Sequence, residues 1–240
     1  MTTERTRARE AERLAQRDRL MLAVLPNIAF DGWTRRALHL AAESVGMKAG
    51  AADDLFPRGT IDLIAHFSDW ADRQMLEALA GHDGFAELKV REKITLGVRT
   101  RLEILEPHRD AERRALAVLS MPGNGVVASR LLYRTVDALW HAAGDVSTDY
   151  NFYTKRGLLA AVQGSTLLYW LGDSSERHEA SWAFLDRRIA NALALGRTAG
   201  RASRVGRLVC IPARLAASAK RRCGGRVRSL SPFRARNAPA

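Results

Sequence analysis

The chain has 240 residues, a formal net charge of +12 and only two cysteines, Cys210 and Cys223; that cysteine usage excludes a disulfide framework and points to a reducing, intracellular setting. The charge is unevenly placed: the last 45 residues hold twelve of the 38 bases and no acid, which leaves 26 bases against 26 acids in the first 195. The basic character therefore belongs to an appendage and excludes nothing about what the neutral body binds. The charged start "MTTERTRAREAERLAQ" does not read as a signal peptide. Ala, Leu and Arg dominate, and apolar residues recur at three and four, which predicts an all-α protein. Residues 4–28 read as one amphipathic helix ending near Pro26 and Asn27. "DGWT" breaks it, and Thr34 caps a second helix that stops at Gly46. "MKAGAADDLF" leads through "PRGT" into a long helix from Thr60 or Ile61 towards Leu79. Gly81 to Gly84 make a loop, then Leu88 to Leu105 form a helix closed by Pro107, and Asp110 to Met121 form another, ended by "PGNG". Val126 to Ala143, Tyr150 to Leu171 and Ala180 to Leu195 complete eight or nine helices, with no fixed repeat. The longest apolar run, Leu158 to Leu171, contains Gln163 and Gly164 and is too short to span a bilayer.

The order helix, "GWT", helix, short helix, "LFPRG", long helix over roughly Arg19 to Met75 resembles the DNA-binding half of TetR-type regulators. The resemblance implies a helix-turn-helix joined to an all-helical ligand domain, but fold alone does not carry function. Where the recognition helix falls, Asp53 and Asp54 stand together among Ala49, Gly50, Ala51 and Ala52, with only Lys48 to offset them. Two adjacent carboxylates repel a polyanion and read no base edge, so no nucleic-acid partner is expected of the body. A ligand-responsive regulator stays as the alternative reading.

"GDVSTDYNFYTKR", residues 144–156, concentrates acids, hydroxyls, aromatics and bases between two apolar helices. It contains no catalytic base, and no glycine elbow surrounds a serine. None of the six histidines has a Glu three residues before it, which a di-iron bundle site would want. No metal, cofactor or enzymatic activity is expected. Gly144 can end one helix, and Asp145, Thr148 or Asp149 can cap the next. If that helix starts near Asp149, then Asp149, Phe152, Tyr153 and Arg156 share a face. Such a face is either the centre of an interface or two core aromatics flanked by solvated charges.

"DALWHAAGDVSTDYNFYTKRGLLAAV", then "TLLYWLGDSS" and "WAFLDRRI", resembles the COQ9 family of ubiquinone-biosynthesis accessory proteins. The N-terminal "LPNIAFDGWTRRAL", "LFPRG" and "DLIAHFSDWADRQM" match the same family, so the likeness spans roughly residues 18–190. The resemblance implies a TetR-like fold without DNA binding, an isoprenoid lipid or ubiquinone precursor held between helices, and association with a membrane surface. It further implies docking on the di-iron demethoxyubiquinone hydroxylase through Asp149, Phe152, Tyr153 and Arg156, rimmed by Asn151 and Lys155. A homodimer and a cytoplasmic protein attached peripherally to the inner membrane follow from the same likeness. Phe152 stands where many relatives carry Trp, and Gln163 where many carry Tyr.

On that basis residues 1–17 are a charged extension, 18–70 a helix-turn-helix-like unit, 71–195 a lipid-binding domain and 196–240 a basic tail. Helical faces give the apolar candidates for a lipid cavity: Leu116, Leu119, Met121, Leu132, Val136, Trp140, Leu159, Val162, Leu167, Leu168 and Trp170. Each of them also suits a plain core. Gly157 and Gly164 permit either close helix packing or room for a polyprenyl chain. In the tail, Arg197, Arg201, Arg204 and Arg207 lie along one side of a possible helix, with Val205 and Leu208 among its apolar residues, before Pro212. Each base near an anionic surface contributes up to about 1 kcal/mol, enough together for reversible membrane attachment. A solvated tail or nucleic-acid contact suits the same composition.

Overall fold

The computed structural model describes residues 2–144 and 150–195, and among them every regular element is helical. Helix α1 spans Thr2–Val24, α2 is the single turn Ile28–Asp31, α3 is Arg35–Ser44 and α4 is Ala49–Leu55. They are followed by α5 (Thr60–Ala80), α6 (Val90–Leu105), α7 (Arg109–Leu119), α8 (Gly125–Ala142) and α9 (Tyr150–Gly172), and by α10 over 179–195. The helix expected over residues 4–28 stops earlier, at Val24, and residues Leu25–Asn27 tighten into a separate turn. Pro26 at the start of that turn is the cause, because it supplies no N–H to continue the α ladder. The charged residues 2–17 form the first two-thirds of α1, and the first 194 residues make one compact unit.

Local chemistry sets the element ends. Thr34 Oγ1 accepts from the Ala37 amide at 3.1 Å and starts α3. That helix ends where Gly46 takes a positive φ of 72°, a conformation that side chains with a Cβ resist. The "LFPRG" turn is held by Asp62, whose carboxylate accepts from the Arg58 amide at 2.8 Å and from its Nε at 2.7 Å. Asp173 serves the same purpose between α9 and α10, accepting from the amides of Ser175 (2.8 Å) and Ser181 (2.9 Å). At the far side, Arg113 donates to the Leu171 carbonyl at 2.8 Å and Arg109 donates to those of Trp170 and Asp173. Two cations of α7 therefore satisfy carbonyls orphaned at the end of α9, where the helix dipole also favours them.

Helix α5 is the axis of the molecule and packs against α1, α6 and α8. Its buried Leu63, Ile64, Phe67, Ala71, Met75 and Leu79 follow the three-and-four spacing that one helical face requires. The leucine, isoleucine, phenylalanine and methionine side chains among them contribute roughly 1.5–3 kcal/mol each on burial. Trp33, 4% exposed, donates its indole N–H to the Ala111 carbonyl at 2.9 Å and ties the N-terminal helices to α7. Helices α6 and α8 approach closely at Gly97, where a Cβ would sit 2.5 Å from Leu139 Cδ2.

Asp18 of α1 is bound to α5 by His66 (2.7 Å) and by two bonds from Arg73 (2.6 and 2.9 Å). Burial, aided by the nearby Arg17 cation, holds His66 below its ordinary pKa. Burial would raise Asp18, but Arg73 and His66 outweigh it and hold the carboxyl low. For both groups the unfolded chain binds the proton more readily than the folded one. Stability is therefore present above the unfolded-state values and falls as pH drops, first through ~6.5 for the histidine. Thermal melts at about pH 7.5 and about pH 5.5, which bracket that value, are expected to show a lower Tm at the acid end. His66→Gln, which keeps a donor for Asp18 and cannot charge, is expected to shrink that drop; an unchanged drop assigns it to other groups.

Candidate functional site: an apolar cavity with a polar end

Helices α5 to α9 enclose a cavity of about 280 Å³. Its walls are apolar: Ile64 and Phe67 from α5, Ala115, Leu116 and Leu119 from α7, Leu131 and Leu132 from α8, and Leu167 and Leu168 from α9. Leu168 is 66% exposed while also lining the cavity, so the space reaches solvent at the outer side of α9. The volume lies at or just under the ~300–1,000 Å³ usual for drug-sized ligands. It can enclose a ring or the first units of a chain, with the remainder leaving past Leu168.

One end of this apolar space is polar. Arg101, 3% exposed, donates to Asp72 at 2.7 Å and to the Ser68 hydroxyl at 3.2 Å. Thr135 donates to both oxygens of Asp72, at 2.9 and 3.0 Å. Glu112, buried at 7% exposure, completes the group. Burial raises its pKa; Arg101 pulls it back and Asp72 pushes it up again, and the net direction is upward, towards the neutral acid. Gln163 of α9 also lines the cavity, is 2% exposed, and its Oε1 has no hydrogen-bond partner. A buried ion pair beside a second buried carboxyl and an amide oxygen without a partner is costly in an apolar wall, so this is the part of the fold that packing alone does not explain.

The expected lipid-site residues divide in two. Leu116, Leu119, Leu132, Leu167 and Leu168 line the cavity. Val136, Leu159, Val162 and Trp170 do not line this cavity and lie buried in the hydrophobic core. Met121 is 55% exposed in the turn after α7 and does not line this cavity. Trp140 is half-buried, with the Lys155 ammonium 5.6 Å from its ring. Helical periodicity assigns a residue to an inward face, and an inward face meets several neighbours, of which the cavity is only one. Gly164 lines the cavity, and a Cβ there would meet nothing within 4 Å. It leaves room rather than permitting close packing; Gly157, also without neighbours, is exposed.

Of the expected docking face, Asp149 lies outside the described residues, as do the side chains of Asn151, Phe152 and Tyr153. Arg156 differs from expectation. It is 4% exposed and bound to Asp137 of α8 at 2.7 and 2.8 Å. Its charge ties α9 to α8 instead of facing outward to an acid on another molecule. Lys155 is half-buried beside it. The tail residues Arg197, Arg201, Arg204, Val205, Arg207 and Leu208 lie outside the described residues. No helix among the described residues is long and apolar enough to cross a membrane. In the helix-turn-helix-like unit, Asp53 of α4 pairs inward with Arg35 (3.4 Å) and His39 (3.2 Å) of α3.

Ser68, Arg101, Glu112, Thr135 and Gln163 are absent from the sequence-based set. Their signal was faint: each is a polar residue at a position where the helical period wants an apolar one. Many surface residues near a face boundary look the same, and only the neighbouring helices show which are enclosed.

The COQ9 family model matches residues 126–196. The chain is similar to the human protein named ubiquinone biosynthesis protein COQ9, mitochondrial, with 35% identity over 187 residues, which is 75% of this chain and 58% of that protein. The rat protein of the same name is 36% identical, with 60% of its length covered. The chain thus spans somewhat under two-thirds of the length of these relatives. The Xenopus laevis protein named COQ9-B is 33% identical over 204 residues, covering 82% of this chain and 69% of its own length. Among solved structures, a TetR transcriptional regulator from Nitrosomonas europaea superposes with a TM-score of 0.61 at 23% identity, over 75% of this chain and 98% of that one. The fold is therefore all-α and TetR-like, with no inference about DNA from a likeness this distant. With a third of positions identical across more than two-thirds of a full-length relative, the chain belongs to the COQ9 family.

Proposed function

We propose that this protein acts in ubiquinone biosynthesis as a lipid-binding accessory protein rather than as a catalyst of its own reaction. It holds an isoprenoid quinone precursor in the α5–α9 cavity and presents it, at a membrane surface, to the demethoxyubiquinone hydroxylase. The observation that carries the reading is the cavity itself: apolar walls, one polar end and an opening beside the exposed Leu168. That shape suits a molecule with one oxygenated end and a long apolar one. A polyprenyl quinone is insoluble in water, so its transfer requires a dry enclosure that can meet a bilayer. The family membership supports the pathway, through the names its relatives carry. A regulator reading has only the fold in its support, and the carboxylates of α4 work against it.

Mass spectrometry of lipids extracted from the purified protein tests the reading. An uncharged polyprenyl lipid enriched well above its share in the membrane is the expected result; bulk phospholipid in membrane proportion would remove it. For docking, Phe152→Ala and Tyr153→Ala are expected to abolish co-purification with the hydroxylase while lipid load and Tm stay as in the wild type. Aromatic anchors of this kind commonly cost about 2 kcal/mol or more on truncation, roughly thirtyfold in affinity. Co-purification unchanged in both variants would withdraw the docking face. Arg156→Glu is unsuitable for this purpose, since it sets a carboxylate against Asp137 and breaks the α8–α9 link.

A further inference from the structure

The stretch "DALWH", residues 137–141, lies on the last turns of α8 and meets the start of α9, where "YNFYTKR" carries the docking residues proposed above. Asp137 Oδ1 accepts from Arg156 Nε at 2.8 Å and lies 2.7 Å from its Nη2. Three residues further along α8, the Trp140 ring has the Lys155 ammonium 5.6 Å from its centroid, within the range of cation–π attraction. Positions three apart share a helical face, so one face of α8 grips two consecutive cations of α9.

The start of α9 has little else to hold it. Residues 150–154 are Tyr, Asn, Phe, Tyr and Thr, and residue 157 is Gly, all poorer helix formers than alanine or leucine. The first amides of a helix also lack intrahelical partners. Among the described side chains of α9, the first that is both apolar and buried is Leu159. Upstream of it, buried Arg156 and half-buried Lys155 tie the helix to α8. A buried guanidinium is a costly way to join two helices, and an apolar pair would hold them as firmly. What the ion pair adds is direction, because charge-assisted bonds to one carboxylate oxygen form at one rotation of α9. Successive residues of a helix are turned by about 100°, so fixing residues 155 and 156 also fixes the helical phase of 152 and 153.

Accepting the docking face proposed above, we infer that Asp137 and Trp140 are positioning residues for it. They act through Arg156 and Lys155 to set the rotation of the first two turns of α9. Arg156 then works inside the protein, and not on an acid of the hydroxylase.

Hydroxylase co-purification and amide hydrogen exchange, both on the full chain, test this. Asp137→Ala is expected to weaken hydroxylase binding about thirtyfold, as truncating an aromatic anchor does, with lipid load unchanged. Amides of residues 154–158 are expected to exchange about tenfold faster or more in this variant, while those of α5 keep their wild-type rates. Trp140→Leu should act in the same direction and more weakly; no effect on either readout would remove Trp140 from the role. Asp137→Arg and Arg156→Glu are each expected to lose binding, and the double variant, which reverses the pair, to recover most of it. A pair within the protein survives that reversal, whereas a contact between Arg156 and an acid of the hydroxylase does not. Binding still lost in the double variant, unchanged binding or exchange in Asp137→Ala, or faster exchange throughout α5 overturns the positioning role and leaves the docking face standing. Unchanged binding in the Phe152 and Tyr153 variants removes the docking face itself, and this inference with it.

Discussion

Replacing Arg101 by Met is expected to lower the unfolding free energy by about 3–5 kcal/mol, the usual cost of removing one member of a buried ion pair. For a unit of this size that corresponds to a fall in Tm of roughly 6–20 °C. The reason is the partner left behind. Asp72, 7% exposed, would keep only the Thr135 hydroxyl as a donor, with Glu112 close by and no cation. Burial opposes the charge on Arg101, yet Asp72 and Glu112 outweigh it and hold the guanidinium firmly protonated. The double variant Arg101→Met with Asp72→Leu is expected to recover most of the loss, because exchanging a whole buried pair for apolar side chains is often neutral. As a control, Glu103→Gln breaks the exposed pair with Arg99, where both side chains are about half exposed, and should cost less than ~1 kcal/mol. Chemical denaturation of the three variants reads these differences. An Arg101→Met variant as stable as the wild type would mean that water reaches the polar end freely and that the cavity is not enclosed as described.

Gly164→Leu separates stability from lipid capacity in the opposite sense. The position lies inside α9, where glycine is up to about 1 kcal/mol worse than a good helix former, and a Cβ there meets nothing within 4 Å. The variant is therefore expected to be as stable as the wild type or slightly more so. Its new side chain occupies the cavity, however, and competes with anything housed there. An overpacking cost of about 1–3 kcal/mol to a bound ligand amounts to roughly a 5- to 150-fold loss of affinity. The readout is lipid recovered per protein after purification, with Tm measured on the same sample. Full lipid load in a stable Gly164→Leu protein would place the lipid elsewhere in the molecule. Together the two variants separate the residues that maintain the enclosure from those that only bound its volume.

Much of the architecture was legible in the residues themselves. Thr34, Gly46, the "LFPRG" turn, Pro107 and "PGNG" each act through chemistry local to a few residues, so helix ends at these points could be read without knowing what packs where. The aromatic and charged motif at 144–156, together with the N-terminal pattern, pointed to the COQ9 family. Even the departures have local causes: Pro26 divides the first expected helix, and the amide of Lys89 bonded to Glu92 moves the start of α6 to Val90.

Only the tertiary structure decided the site. Periodicity names an inward face but not the neighbour it meets, which is why Val136, Leu159, Val162 and Trp170 fell in the core while Leu116, Leu132 and Leu167 reached the cavity. The pairing of Arg156 with Asp137 and of Arg101 with Asp72 joins residues 19 and 29 apart on different helices. Whether a charge is satisfied internally or turned outward depends on that crossing of helices, not on its own neighbours in sequence. Gln163 makes the point most sharply: in the chain it is a polar residue interrupting an apolar run, and in the fold it is the one amide in the wall of the cavity. Short-range bonding along the chain governs where helices begin and end, whereas enclosure is a property of five helices meeting, and no one of them encodes it alone.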